Sequence, residues 1–276
     1  MKYSNSMSLK KAALLIIFMF LNLVGYAQTD STKVLPDKVR HVEPLYIDLV
    51  RDLGARKGEK ELNVAADFKN TNNYNQYGVL AEYEFAPINR LGLEAEADFS
   101  FYKRTDPANE VPNNKLENLK LSAQYSFYVS LKHKTTLAIG YTHIFEFTDF
   151  RSYNNSRFIT EMIYSPFFIA AKRWGDNFHV LVFTGPLIGH NFARRSTDVD
   201  WQINTSLDYS IPNSHNFVGI EFNKEIIDGK FKMTMRPQTK IQINKELAIG
   251  FVVGFPMNND EQKVSSFFRL IYVLAD

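Results

Sequence analysis

Hydrophobic and polar residues alternate one for one over long stretches of this chain. Leu119, Leu121, Ala123, Tyr125, Phe127 and Val129 fall on one face of an extended segment, and Lys120, Ser122, Gln124, Ser126, Tyr128 and Ser130 on the other. A period of two is that of a β-strand with one apolar and one wet face. The same signature recurs in 91–102, where Leu91, Leu93, Ala95, Ala97, Phe99 and Phe101 oppose Gly92, Glu94, Glu96, Asp98, Ser100 and Tyr102. It returns in 201–209 and again in 265–274. Extended along the chain, the pattern predicts about twelve strands, an even number. They fall near residues 60–69, 76–86, 91–102, 117–129, 134–147, 155–171, 177–192, 200–210, 215–226, 230–241, 246–256 and 263–274.

Two of these, 155–171 and 177–192, are apolar on both faces, with Ile163, Phe167, Leu181 and Phe183 turned inward. Such an interior is plugged or narrow. The links between strands are expected to alternate in length. Short ones are read at Pro87–Arg90, Lys132–His133, Trp174–Asp176, Pro212–Ser214 and Asn244–Lys245, and longer ones at Asn70–Asn75, Lys103–Lys115, Thr148–Asn154, Ala193–Val199 and Met257–Gln262. The exception is Asp228-Gly229, which reads as a two-residue type I′ hairpin turn.

An outward face this apolar on consecutive strands needs lipid around it. After residue 27 no apolar run is long enough for a membrane helix, so only a closed barrel crosses lipid with its backbone groups paired. The expected fold is therefore all-β: a transmembrane antiparallel up-and-down β-barrel over 60–276, preceded by a short periplasmic segment at 28–59, with both termini periplasmic. A soluble β-sandwich would not need a lipid-like face on so many strands. The first 27 residues read as a secretory signal peptide: Lys2, Lys10 and Lys11, an apolar run from Ala12 to Val24, then Gly25-Tyr26-Ala27.

Composition narrows the chemistry. With no Cys there are no disulfides, thiolate metal sites or lipidated N-terminal Cys. A net charge of +2 gives no case for nucleic acid. Aromatics, at 14%, are spread over the alternating segments instead of being gathered in one core stretch.

The signal peptide, alternating strands, loop asymmetry and aromatic-rich final strand together resemble Gram-negative outer-membrane β-barrel proteins. Residues Phe267 to Asp276 are similar to the assembly signal of such proteins, though they end in Ala275-Asp276 in place of an aromatic. The resemblance implies outer-membrane lipid and the insertion machinery as partners. The stretch from His41 to Glu61 resembles the leader of an uncharacterised outer-membrane family. Leu45, Leu49 and Leu53 in it share one side of a predicted short helix running from Pro44 to Gly54, and Arg56-Lys57 forms a basic tip. Tyr46, Arg51, Arg56 and Lys57 are candidates for docking an envelope partner through residues 41–60. An N-terminal plug entering the lumen and a tail folded against the rim are the other readings.

Inside the predicted lumen Glu82 and Glu84 face Glu94, Glu96 and Asp98, and the turn between these strands sets Glu84 opposite Glu94 and Glu82 opposite Glu96. Carboxylates at that range call for cations. Lys120, Lys232, Arg236 and Arg269 supply them, and the Asp228-Gly229 turn sets Arg236 opposite Glu221 and Lys232 opposite Glu225 as expected inward ion pairs. No metal or cofactor is expected, since the His residues are scattered and no phosphate-binding glycine loop appears. Tyr141-Thr142-His143 resembles the His motif of outer-membrane phospholipases, but position 145 is Phe where that mechanism needs Ser. The sequence points to a narrow channel for small polar solutes, with a non-transporting envelope partner as the alternative and a lipid hydrolase disfavoured.

Overall fold

The computed structural model describes residues 35–47, 49–108, 110–154, 157–258 and 262–274. The predicted signal peptide and Ala275-Asp276 lie outside them. Residues 36–276 make one compact unit.

Twelve strands close into an antiparallel up-and-down barrel in which each pairs with its sequence neighbours and the last returns to the first. They are β1 (Lys60–Thr71), β2 (Tyr74–Ile88), β3 (Leu91–Arg104), β4 (Lys115–Ser130), β5 (Thr135–Phe147), β6 (Ile159–Trp174), β7 (Phe178–Asn191), β8 (Ser196–Ser210), β9 (Phe217–Ile227), β10 (Lys230–Gln242), β11 (Leu247–Pro256) and β12 (Gln262–Val273). Closure removes the edges that an open sheet would expose. Glu61 opposite Val273 and Val64 opposite Leu270 seal the seam.

The alternation read from the sequence is realised as two faces. Outward, every strand carries large exposed apolar residues, among them Leu62, Val79, Phe99, Phe127, Phe251 and Phe268. Inward, the same strands present Asn63, Glu82, Glu94, Gln124, Asn204 and Glu221, all buried. An apolar belt running right round the molecule far exceeds the patches that soluble monomers leave exposed.

The end where β1 begins and β12 finishes is called here the near end. The length contrast between its links and those of the far end is weaker than expected. Strands β1 and β2 extend to Thr71 and Tyr74, which shrinks the predicted Asn70–Asn75 loop to Asn72-Asn73, stabilised by the Thr71 hydroxyl donating to Tyr74 O at 2.7 Å. Only the links 105–114 and 148–158 at the far end are long. Asp228 and Gly229, at φ 50° and 73°, form the expected left-handed two-residue turn.

Candidate functional site

The lumen is occupied by the chain's own N-terminal segment. Residues 36–59 touch inward side chains of strands all the way round: Ala65 on β1, Glu84 on β2, Ser126 on β4, Thr136 on β5, His179 on β7, Glu221 on β9, Gln238 on β10 and Arg269 on β12. Only a segment lying inside a barrel meets all of these. Two inward glycines make room for it. A Cβ at Gly92 would stand 2.5 Å from the Arg51 Cβ, and one at Gly250 would stand 2.6 Å from a Leu45 methyl.

The predicted helix from Pro44 to Gly54 does not form among the described residues. Its backbone N–H groups find better acceptors in the wall. Leu45 N donates to Gln238 Oε1 at 2.8 Å, and Tyr46 N and Ile47 N donate to the two oxygens of Glu221 at 2.9 Å each. Val42 N donates to His179 Nδ1 at 3.1 Å. Leu45, Leu49 and Leu53 are nonetheless all buried. Ile47, Leu49, Val50 and Leu53 pack against Ala138, Phe167, Ile169, Ala171, Leu181 and Phe183. This explains why β6 and β7 are apolar on both faces: one faces outward and the other the segment.

The opposite wall is charged. Arg51, 5% exposed, reaches Glu84 at 2.9 Å and Glu61 at 3.0 Å. Arg269 grips both oxygens of Glu82, at 2.5 and 2.7 Å. Asn63 Nδ2 donates to Glu61, Glu82 and Glu84. Lys120 pairs with Glu96, directly opposite it, and lies 3.4 Å from Asp98; Ser122 donates to Glu94 at 3.0 Å. Oxygens of Glu82, Glu84 and Glu94 converge within 4.8 Å, a spacing that can hold a cation. Here the two guanidinium groups and the Asn63 amide already answer Glu82 and Glu84.

The register sets Arg236 opposite Glu221 and Lys232 opposite Glu225, yet neither expected ion pair forms among the described residues. The segment intercepts the first: Glu221 receives its N–H groups, while the Arg236 guanidinium lies over the Tyr46 ring, 3.6 Å from the centroid, and bonds Asn223 and Ser265. Glu225 is exposed near the far end and meets no cation among the described residues. Of the candidate docking residues, Tyr46 and Arg51 are thus inside the barrel. Arg56 bonds Pro36 O at 3.4 Å, and Lys57 is exposed with its N–H on Asn89 at 2.9 Å, so these two stand at the near rim.

The segment is anchored at one end. Gly58 N to Ala86 O and Ala86 N to Glu59 O, both 2.9 Å, stitch it to the end of β2, and Arg90 N donates to Ala55 O at 2.6 Å. Its other limb folds back through Lys38, which pairs with Asp52 at 2.7 Å and Glu59 at 2.8 Å. Burial works against the Lys38 charge, but these two carboxylates hold its pKa above the ordinary value. His41 bonds Thr136 at 3.0 Å, and burial, with His179 and Arg173 nearby, pushes it down to about 3. Beside this limb a cavity of about 1250 Å³ opens at the near end, lined by His41, His179, Ser210, Phe217 and Lys240 among others. Towards the far end, beyond Tyr46, half-buried Lys69, Asp98, Lys120, Glu146 and Glu161 face the interior.

Neither His arrangement suits acyl transfer. His179 and Ser210 lie 2.8 Å apart, but Val42 N–H donates to Nδ1, which leaves the ring proton on Nε2 facing the hydroxyl. A base must accept the hydroxyl's proton, and this nitrogen already carries one. His143 bonds Tyr141 at 3.0 Å and packs on Phe145 and Tyr164.

A family model described as HAEPLYID-like matches residues 37–273. The chain belongs to the HAEPLYID-like family. The match takes in the lumen segment and all twelve strands, and the name, read in one-letter code, differs from residues 41–48 only at position 42. No curated protein sequence matches the chain. Among solved structures the fold is similar to the COG4313 outer membrane channel from Pseudomonas putida F1, with TM-score 0.65 and 11% identity over 84% of this chain and 100% of that one. It is also similar to the NanC porin, with TM-score 0.55 and 9% identity over 78% and 100%. The KdgM porin gives TM-score 0.52 and 13% identity over 78% and 99%. At such identities the likeness is one of fold.

Proposed function

We propose that this protein is an outer-membrane barrel that passes small polar solutes and is held closed, in the form described, by residues 36–59. The observation that carries the reading is a charge-lined lumen filled by a segment whose main-chain bonds to the barrel's own main chain fall, among the described residues, at residues 55–59, the rest being held by side chains. A permanent core gains little from buried carboxylates, even answered ones, because desolvation offsets much of what their partners supply. A path for polar solutes has a use for them. The circumferential apolar belt supports a membrane setting, and the channels and porins of like fold support the direction of the reading.

Planar-bilayer conductance of the purified chain tests it. The intact protein is expected to give rare single-channel steps, and Arg51→Ala, which unties the segment from β1 and β2, frequent ones. Bilayers that stay silent with both proteins would overturn the channel reading and favour a structural role in the envelope.

A further inference from the structure

The lumen wall treats the segment as a ligand. Most of what it offers is directed at main chain: Gln238, Glu221 and His179 accept the N–H groups of Leu45, Tyr46, Ile47 and Val42. Arg269 donates to Leu45 O at 3.4 Å. Bonds of this kind bind a peptide main chain, here bent at residues 45–47, whatever its side chains, and pockets between them supply selection. Two pockets are present. Arg236 covers the Tyr46 ring and Phe267 meets its edge, with centroids 5.6 Å apart, an arrangement that accepts any aromatic ring. Ile47 sits among apolar side chains headed by Phe167 and Phe183.

We propose that the seat of Leu45–Ile47 is a binding site for short peptides carrying an aromatic residue followed by a branched aliphatic one, the segment being its built-in occupant. The proposal names the solute class for the channel reading and rests on it. A peptide from outside gains the same main-chain bonds, which a sugar or an inorganic ion cannot make as a run of N–H donors. The near-end cavity meets the segment at Val42 and Glu43, next to the seat, and gives a competitor access from that side. Because the segment is tethered, its effective concentration is on the order of millimolar, so a free peptide competes only in that range.

The chain has no Cys, so a Val50→Cys variant carries a single thiol at a position 2% exposed. The acetylated, amidated heptapeptide Glu-Pro-Leu-Tyr-Ile-Asp-Leu traps the lumen after the segment leaves. It is expected to raise the rate of thiol modification by a polar maleimide about tenfold at millimolar concentration, saturably. The same peptide with Ala for Tyr, and maltotriose, leave the rate unchanged. A rate indifferent to the heptapeptide, or raised equally by the Ala version, would overturn the proposal. A second measurement is independent of the thiol. The dye-labelled heptapeptide is expected to bind a Tyr46→Ala barrel about tenfold more tightly than the unsubstituted one, because the internal competitor is weakened. Equal affinities would overturn it. Conductance without peptide trapping sinks this proposal and leaves the channel; trapping without conductance sinks the channel and leaves a peptide receptor.

Discussion

The lumen segment meets two unlike walls. On the β5–β7 side it buries Ile47, Leu49, Val50 and Leu53 against Phe167, Ile169, Leu181 and Phe183. On the β1–β3 and β9–β12 sides it meets carboxylates, guanidinium groups and amides, joined by hydrogen bonds to named atoms, around a smaller apolar patch where Val42 and Leu45 pack with Ala65, Phe217, Val252 and Phe267. The apolar wall supplies affinity without direction, since burial scales with area. The charged wall supplies direction: each buried charge is tolerated only while its partner stays in place. A segment held in both ways sits in one position, yet it leaves behind a polar surface when it moves.

The largest expected effect is on the charged wall. Arg269→Ala leaves Glu82 buried without its bidentate partner and should cost the barrel about 3–5 kcal/mol in denaturant melts. A loss under about 1 kcal/mol would mean that Glu82 is solvated and that the two walls do not differ as described. Next comes Leu49→Ala, expected to weaken docking of the segment by about 2–4 kcal/mol through the cavity it leaves. Read by modification of a thiol placed on the segment, that loss should not change between low and high salt, because no charge is involved. A strong salt dependence would contradict the apolar assignment of that wall.

The strands, their number and the inward register of Glu82 with Glu96 and of Glu221 with Arg236 were legible in the sequence. Period-two alternation fixes which face a residue takes, and a tight turn fixes what stands opposite it. The double-sided apolarity of β6 and β7 announced a filled interior. A plug made by the N-terminal segment was one of the readings the sequence left open, beside docking and a tail on the rim; its conformation was not legible, because it is set by the wall. Leu45, Leu49 and Leu53 have helical spacing, but Glu221, Gln238 and His179 take the N–H groups that a helix would use internally. The missing Glu221–Arg236 ion pair has the same origin: register brings the two side chains together, and a third element separates them. Gly92 and Gly250 were the available signal, inward positions in strands where a larger side chain is excluded by something not yet placed.

Charge exchange sharpens this point. If Glu221 and Arg236 stabilised the barrel as a pair, Arg236→Glu would be partly repaired by adding Glu221→Lys. The double variant is expected instead to be worse than the single one by about 1 kcal/mol or more, because an ammonium cannot accept the N–H groups of Tyr46 and Ile47. Recovery of stability would restore the simple ion pair. A further effect is on pH. His41 stands at about 3 when docked against an ordinary 6.5, so the neutral ring favours docking. That contribution is full above pH 6.5 and is lost as the pH falls from 6.5 towards 3. Thiol accessibility on the segment should rise over that window, and His41→Gln should flatten the rise.

The central claim, that residues 36–59 close the lumen and must leave it to open a path, is tested most directly by locking them in place. The Leu45 Cγ lies 3.2 Å from a Cβ built on Gly250, so a sulfur at that atom is within reach of a disulfide across the two positions. Single-channel conductance of a Leu45→Cys, Gly250→Cys protein should be absent while oxidised and appear on addition of a reductant. Equal conductance before and after reduction, with the cross-link verified, would contradict the account.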